Sequence, residues 1–343
     1  MKKFFPVLVM AIVFIVCGCN NKERFTIYTW DEMFPQEVLR GFERESGFKI
    51  NYVNFEENET MFARLQAARG GTYDLIIADD YILETIISEG LAQKLDRAKI
   101  PNFRNINPSY QRQFFDPLDE YTVPYGAGVQ TIVYDPRRVN ITITGYADLW
   151  DMSLRNNVGI IGNFRVINGM ALKVMGESYN INDLSTIRAA GNLLLNLAPN
   201  IRLVMDDKLE DQLLSGEIAA AVMYTSQVTN AKLENPELEV IFPKEGIGFG
   251  IMAGFIPANA PNSDAAHAFL NYILDARRGA QCFEYIGYYS TFSASDPFIS
   301  PEYKEFLTLP EGFNENMEMI QNIDHAAEEL HNIIWTEFRS AAR

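Results

Sequence analysis

Apolar and polar positions alternate along the chain in segments that predict strands and helices in turn. Residues 25–30 have the composition of a strand. Pro35 then suits the first turn of a helix, whose apolar face begins at Val38 and whose end is marked by Gly47. The chain is therefore expected to begin with a strand followed by an amphipathic helix, which together form one βα unit.

The same alternation continues. Residues 49–53 predict a second strand, residues 60–69 a helix that stops at Gly70, and residues 75–78 a short, wholly apolar strand of the kind found in buried parallel sheets. This order predicts an α/β protein with right-handed crossovers and helices on both faces of a mainly parallel sheet. Later strands are expected at 158–161 and 219–224, and later helices at 186–197 and 265–274.

Two clusters of chemically active side chains follow strands. Trp30, Asp31 and Glu32 come after the first strand, and the segment 79–81, with two aspartates and Tyr81, comes after the third. Ligands of open α/β sheets bind beyond the carboxyl ends of the strands, so both clusters are expected to face one crevice. One of the two aspartates is also expected to cap the helix that begins near Tyr81.

The N-terminus has the layout of a secretory signal. Lys2 and Lys3 precede thirteen apolar residues at 4–16, a run too short to span a bilayer as a helix. Gly18 and Cys19 follow at the point where a lipoprotein signal peptidase would cut. We expect residues 1–18 to be a signal peptide, residues 19–24 a tether, and Cys19 the lipid attachment site of a periplasmic protein held at a membrane.

The cysteines leave one alternative open. Cys17 is the weaker lipid site because the bulky Val16 would precede its cut, and a plain signal peptide with incidental cysteines is the other interpretation. Beyond these residues only Cys282 remains, so no internal disulfide is expected. The fold must depend on its hydrophobic core.

Composition and charge narrow the class of protein. A hydrophobic fraction of 48% is ample for two domains of ordinary size, and no later stretch reaches the roughly 18 apolar residues of a membrane helix. The net charge is −16, and loss of the two lysines with the signal makes it −18. This acidity argues against nucleic acid as a partner and favours cationic or neutral ligands.

Eight motifs in order carry a family resemblance. They are YTWDEMFP at 28–35, NETMFARL at 58–65, YDLIIADDY at 73–81, FDPLDEYTVPY at 115–125, YADLWD at 146–151, FPKEG at 242–246, IPANA at 256–260 and IGYYST at 286–291. Through them the chain resembles the periplasmic spermidine/putrescine-binding proteins of polyamine importers, over nearly the whole mature length. No single motif is diagnostic, but eight in register are specific.

The resemblance implies a fold and a role. It implies two α/β lobes, each a mainly parallel sheet flanked by helices, with the ligand in the inter-lobe cleft. Lobe one would be 25–125 plus 253–300, and lobe two 126–252 plus 301–343. The implied role is a monomeric receptor, not an enzyme, that delivers putrescine or spermidine to an ABC permease in the inner membrane without a cofactor or metal.

The resemblance also implies which residues hold the ligand. A polyamine carries ammonium groups on a methylene chain, so its receptor needs carboxylates and aromatic faces, and a desolvated cation over a ring gains about 2 kcal/mol. Glu32 is the expected ammonium partner and Trp30 the wall beside it. The remaining positions that match or adjoin family contacts are Asp31, Asp79, Tyr81, Asn163, Tyr224, Tyr288 and Gln321.

The chain departs from the family pattern in its second half. Two amine-gripping acids correspond to Asn163 and Val166, and a third acid and a nearby aromatic correspond to Met252 and Gly250. Because a buried ammonium without a charged partner costs several kcal/mol, these changes are expected to favour the shorter diamine, putrescine, over spermidine. Acids of lobe one, with Asp79 among them, are expected to compensate.

Other interpretations remain open from the residues alone. Trp30, Tyr224 and Tyr288 could be ordinary core aromatics, and Asp31 a solvated helix cap. Adjacent tyrosines at 288 and 289 allow a ferric-ion receptor, whereas the helix carrying His325, Glu329 and His331 is read as a solvated face rather than a metal site. A surface hydrolase or adhesin is the alternative of another class, although catalytic motifs are lacking.

Overall fold

The computed structural model describes residues 23–307 and 317–342, so Cys19 and the expected signal peptide lie outside the described residues. The strands are β1 (Arg24–Thr29), β2 (Lys49–Asn54), β3 (Leu75–Asp79), β4 (Thr122–Tyr134), β5 (Val158–Ile160), β6 (Ile201–Val204), β7 (Ala220–Tyr224), β8 (Glu239–Ile241), β9 (Ile247–Phe255), β10 (Tyr289–Ser290) and β11 (Met317–Met319). None of the helices in this part of the chain is long and apolar enough to cross a bilayer.

Eleven α-helices accompany these strands in the described residues. They are α1 (Gln36–Ser46), α2 (Asn58–Ala67), α3 (Asp80–Ser88), α4 (Phe164–Val174), α5 (Leu184–Leu195), α6 (Leu209–Leu214), α7 (Thr225–Glu234), α8 (Ser263–Ile273), α9 (Ala276–Ile286), α10 (Pro301–Lys304) and α11 (His325–Ala341). Short 3₁₀ turns lie at Arg97–Lys99, Pro101–Asn105, Pro108–Tyr110, Tyr146–Trp150, Met152–Leu154, Ala198–Asn200 and Asp296–Phe298.

The first βα unit shows why local signals in the sequence succeed. α1 buries Val38 and Phe42, and it ends at Gly47, whose φ of +82° is left-handed and favours glycine. Pro35 differs slightly from its expected place. It occupies the N-cap with an extended backbone, one residue before the helix, because the fixed ring suits the entry to α1 as well as its first turn.

The strands form one continuous sheet path with two parallel parts. Its order is β2-β1-β3-β9-β4-β7-β5-β6, with β8, β10 and β11 paired to β4 or β9 at the sides. β1 is parallel to β2 and β3, and β5 is parallel to β6 and β7, as the sequence predicted. The central strands β3, β9, β4 and β7 pair antiparallel.

The two largest hydrophobic cores of the described residues lie on either side of the central strands. One side of the molecule packs Phe25, Phe42 and Phe269 around β1 and β3, and the other packs residues such as Ile160 and Phe338 around β5 and α11. β4 runs through both, because its first half pairs with β9 and its second half with β7 and β8. We propose that the two cores mark lobe one and lobe two.

The C-terminal side of lobe one extends past residue 300. Leu307 is buried in the same core as Phe25, and Tyr303 packs against it. The sequence placed 301–307 with lobe two, whereas these contacts place the segment beside lobe one. We propose that lobe one comprises 25–125 plus 253–307, and that the chain returns to lobe two through β11 and α11.

The crossing strands carry an irregularity where they leave lobe one. The register between β4 and β9 shifts between Pro124 and Gly126, which is the geometry of a β-bulge. Between these residues, the buried Tyr125 hydroxyl donates to the Met33 carbonyl at 2.6 Å. The bulge therefore lies beside the segment that follows β1, on which Trp30 stands.

Candidate functional site

The carboxyl ends of strands from both lobes converge on one cleft. β3 ends at Asp79, β5 is followed by Asn163, and β7 ends at Tyr224. Tyr224 lies near enough to the opposite lobe for the Asp79 charge to act on it. Burial is the main cause of its raised pKa, and Asp79 is one of the charges that contribute. This arrangement is the one that open α/β sheets use for ligands.

Asp79 is the carboxylate at the centre of this cleft. It occupies the N-cap position of α3, but its side chain does not cap the helix and instead accepts a 2.8 Å hydrogen bond from Asn58 Nδ2. Burial, with the Glu59 charge as a smaller cause, raises the Asp79 pKa to about 6. A carboxylate held in this way is poised to gain from a cation.

Asp80 is anchored to the crossing strand. Its Oδ2 accepts from the Ile251 amide at 2.9 Å and its Oδ1 from the Tyr81 amide at 2.8 Å, and only 5% of the residue is exposed. Burial and the adjacent Asp79 charge raise its pKa to about 8. The expected helix cap is not found: the Asp79 side chain makes no capping hydrogen bond, and Asp80 is the first residue of α3 itself, with its carboxylate bonded to the Tyr81 amide and to the Ile251 amide of β9.

Tyr81 closes the lobe-one side of the cleft. Its hydroxyl donates to Glu59 Oε1 at 3.0 Å and accepts from Asn58 Nδ2 at 3.1 Å. Asn58 therefore holds both Asp79 and Tyr81 in place. The half-buried Tyr81 ring therefore stands beside the fixed Asp79 carboxylate, an arrangement that suits an alkylammonium ion.

Lobe two contributes an aromatic wall. Tyr224 of lobe two faces Tyr288 of lobe one; both rings are half-buried, their hydroxyls interact electrostatically, and Asn163 makes a side-chain hydrogen bond to Tyr224. Asn163 is also the N-cap of α4, where its Oδ1 accepts from the amides of Arg165 and Val166 at 3.1 and 3.2 Å. An asparagine here can fulfil both tasks without a charge.

The adjacent tyrosines 288 and 289 serve different regions. The Tyr288 pKa is raised to about 12 by burial and, to a smaller extent, by Asp79, which places the ring at the cleft. Tyr289 is buried with Tyr110 and Phe249 in the small core between the lobes. The paired phenolates that a ferric-ion site would need are therefore not presented to one point.

The residues after β1 lie at the edge of this arrangement. The half-buried Trp30 packs its ring on Phe55 at 4.9 Å between centroids. Asp31 and Glu32 are exposed, and Glu32 has a left-handed φ of +54°. Burial is the main cause of the raised pKa values of Tyr285 in α9 and Tyr52 in β2, and the charges of Asp31 and Glu32 contribute to both.

The end of β11 brings lobe two against α3. Asn322 Nδ2 donates to the Tyr81 carbonyl at 2.9 Å and to Glu84 Oε2 at 3.0 Å. The neighbouring Gln321 is exposed, and its main chain bonds Arg165 and Asn180. Asn322 thus bridges the two lobes, whereas the main chain of Gln321 is bonded within lobe two.

Two positions where the family resemblance implies an acid are occupied by buried apolar side chains. Val166 is buried in the lobe-two core, and Met252 is buried beside β3, where it pairs with Asp79 in register. Gly250 lies near Asp80, since a Cβ there would be 3.6 Å from Asp80 Oδ2. Asp80 therefore approaches the region from which the carboxylate at position 252 is missing.

Sequence reasoning missed three polar residues that shape the cleft, namely Asn58, Glu59 and Asn322. Each acts through a contact distant along the chain, and an isolated asparagine or glutamate in a helix gives no functional signal. The signal that was available is the placement of Asn58 and Glu59 at the start of α2, near the carboxyl ends of β1 and β3.

The interpretation of α11 as a solvated face was wrong for His331. This histidine is 1% exposed, its Nδ1 lies 3.1 Å from Asn168 Nδ2, and burial lowers its pKa to about 4. It faces α4 because the helix must bury one side against lobe two. Within residues 23–307 and 317–342, no group of three or more metal-ligating side chains comes together.

Comparisons with known proteins identify the family of the chain. Residues 37–311 match the family model described as bacterial extracellular solute-binding protein. The chain is 33% identical over 298 residues to the spermidine/putrescine-binding periplasmic protein of Salmonella typhimurium, covering 85% of this chain and 84% of the relative. It is 27% identical over 317 residues to a putrescine-binding periplasmic protein of Escherichia coli, covering 86% and 85%.

Solved structures show the same fold. The spermidine/putrescine ABC transporter substrate-binding protein of Streptococcus pneumoniae superposes with a TM-score of 0.84 at 26% identity, covering 94% of this chain and all (100%) of that one. The TpPotD lipoprotein of Treponema pallidum superposes with a TM-score of 0.80 at 23% identity, covering 92% and 99%. The two-lobed solute-binding fold expected from the sequence is confirmed.

Proposed function

We propose, since this chain belongs to the spermidine/putrescine-binding group of the bacterial extracellular solute-binding proteins, that it captures putrescine or spermidine and presents it to an ABC permease. The family is one of non-enzymatic binding proteins outside the cytoplasm, as the sequence indicated. One observation carries the ligand class. The Asp79 carboxylate lies among tyrosine rings from both lobes.

The chemistry follows from this enclosure. A protonated amine entering the cleft pairs with Asp79, while Tyr81 and Tyr224 offer ring faces to the cation and to the methylene chain. A neutral sugar would leave the carboxylate without a charged partner, and an anion would be repelled. Glu32 and Asp31, at the edge of the cleft, add negative potential that attracts cations, and the direct role of Glu32 as an ammonium partner stays a prediction.

A ligand panel separates the candidate classes. Purified protein is melted with putrescine, spermidine, ferric citrate and a set of oligosaccharides, each in large excess. A bound ligand stabilises the fold by about 4 kcal/mol at a thousandfold excess over its Kd. We expect the amines alone to raise the melting temperature, and a shift with ferric citrate or sugars only would contradict the proposal.

Affinity for the amine is expected to fall as pH falls through the Asp79 titration. The pKa of Asp79 in the free protein is about 6, raised chiefly by burial, and an ammonium ligand favours the ionised form. Below that pH the proton must leave before the amine binds, so affinity drops by up to about tenfold per unit. Ionisation of the adjacent Asp80, whose pKa is about 8, should add a smaller rise in affinity towards pH 8. Asn58, Glu59, Tyr81 and Asp80 surround this carboxyl.

Calorimetric titration with putrescine at pH 5, 6, 7 and 8 measures this dependence. The amine keeps both charges across the range, because alkylamine pKa values lie near 10. Asp79→Asn is the control and should flatten the profile between pH 5 and 7. Equal affinity of the wild type at pH 5 and pH 8 would contradict a titrating carboxylate in the site.

Ligand binding is expected to close the lobes about the crossing strands. Site residues come from both lobes, and β4 and β9 connect them near Tyr125 and Met252, next to the irregular pairing at Gly126. Two-lobed proteins joined in this way close by a hinge. Small-angle scattering with saturating putrescine should give a smaller radius of gyration than without it, and an unchanged profile in the wild type would contradict closure.

We also propose that lipid on Cys19 holds the receptor at the membrane. The proposal depends on the sequence motif, because this cysteine lies outside the described residues. Cells given labelled palmitate should incorporate the label into the wild type and not into Cys19→Ala. Cys17→Ala is the matched control and should keep the label; loss of label from that variant alone would move the attachment site.

A further inference from the structure

An acid of lobe two lies beside the aromatic wall. Asp206 follows β6, and its main-chain oxygen accepts a 2.9 Å hydrogen bond from Gln227 Nε2. The Oε1 atom of the same glutamine accepts from the Tyr224 amide at 3.1 Å. One side chain thus couples the position of Asp206 to that of the cleft tyrosine.

The carboxylate of Asp206 is oriented by the end of the neighbouring strand. Its Oδ1 accepts from the Gly162 amide at 2.7 Å. Glycine leaves room for this approach, because a Cβ at position 162 would lie 2.5 Å from Asp206 Oδ2. Asp206 is exposed, so its second oxygen remains accessible, and its charge acts on Tyr224.

Acids of both lobes act on Tyr224. Burial is the main cause of its raised pKa, the Asp206 charge is the next largest, and the Asp79 charge of lobe one is a smaller cause of the same sign. One aromatic ring is therefore within electrostatic reach of a carboxylate from each lobe. The acids that follow Asp206 affect a different group: the charges of Asp207 and Asp211 contribute to the raised pKa of Glu210 in α6.

At the lobe-two positions where the family resemblance implies carboxylates, this chain has Asn163, Val166 and Met252. We propose that Asp206 is the lobe-two partner for the second ammonium of a linear diamine whose first ammonium is paired with Asp79, with the methylene chain along Tyr224. This inference rests on the proposed polyamine-binding function. It makes Asp206 a specificity residue, which distinguishes a diamine from a monoamine of equal length.

The test combines one charge removed from the protein with one removed from the ligand. Wild type, Asp206→Asn and Asp207→Asn are titrated by calorimetry with putrescine and with butylamine, which lacks the second ammonium. Asparagine at 206 keeps an oxygen for the Gly162 amide. Asp207→Asn removes the same charge from the adjacent exposed residue, and ligand-free melting temperatures show whether each variant folds.

We expect Asp206→Asn to weaken putrescine binding about tenfold or more, on the scale of a charged hydrogen bond, and butylamine binding less than about twofold. Asp207→Asn should change either affinity by less than about twofold, as for an exposed charge. If Asp206→Asn weakens both ligands equally, or neither, the inference is overturned while polyamine binding by the wild type stands. If the wild type binds neither amine, the proposed function itself fails.

Discussion

Asp79→Asn is expected to weaken putrescine binding by about thirtyfold or more. Removing one partner of a desolvated charge pair costs about 2 kcal/mol or more, and Asp79 is the carboxylate that tyrosines of both lobes enclose. Asparagine keeps the size of the side chain and an oxygen for Asn58 Nδ2, so the loss would reflect charge. Calorimetric titration at one salt and pH measures it.

The matched control is Glu57→Gln. This exposed acid precedes α2, close in sequence to Asn58, and makes no side-chain hydrogen bond to cap that helix. Its removal should change the putrescine Kd by less than about twofold. A folded Asp79→Asn protein with wild-type affinity would contradict the placement of the ammonium at this carboxylate.

Phe269→Ala is expected to lower the free energy of unfolding by about 3 to 5 kcal/mol. The ring is 0% exposed and stands within 5.0 to 5.4 Å, centroid to centroid, of Phe25, Phe34 and Phe42. Truncation would leave a cavity in the core of lobe one that rigid neighbours cannot fill. Urea unfolding followed by fluorescence measures the change.

Phe298→Ala is the control for that experiment. This phenylalanine is 41% exposed, and Arg277 lies over its ring at 4.4 Å. Its loss should cost about 1 kcal/mol at most, the scale of an exposed cation–π contact. Equal destabilisation by both substitutions would show that the aromatic cluster does not hold lobe one together.

Much of the fold was predictable because its signals are local. The apolar run at 75–78 became β3, and Gly47 ended α1 in a left-handed conformation. The convergence of Asp79 with residues of other strand ends also followed from a general property of parallel sheets. Periodicity and the geometry of strand ends sufficed for these features.

The contacts that determine the site chemistry were not predictable in this way. Asp79 was expected to cap a helix or bind an ammonium, yet its actual partner is Asn58 on a different helix. Asp80 bonds Ile251, which lies 171 residues later. Such pairings depend on how distant elements pack, and residue type and spacing contain no record of that packing.

The burial of individual side chains was also not predictable from the sequence. His331 looked like one of several polar residues on a solvated helix, but lobe two covers that face of α11. The sequence did not indicate Asp206 as a site residue, because a lone acid after a short strand is common. Its hydrogen bond to Gly162 and the effect of its charge on Tyr224 are what make it a candidate. The preference for putrescine over spermidine, drawn from the lost lobe-two acids, stays a prediction.

Calorimetric titration of the purified protein with putrescine and spermidine tests the central claim most directly. The account predicts saturable binding with one amine per protein and a Kd at least thirtyfold weaker in Asp79→Asn. Spermidine more than tenfold tighter than putrescine would contradict only the expected preference. No binding of either amine by the folded wild type at pH 7 to 8 would contradict the assignment of the cleft as a polyamine site.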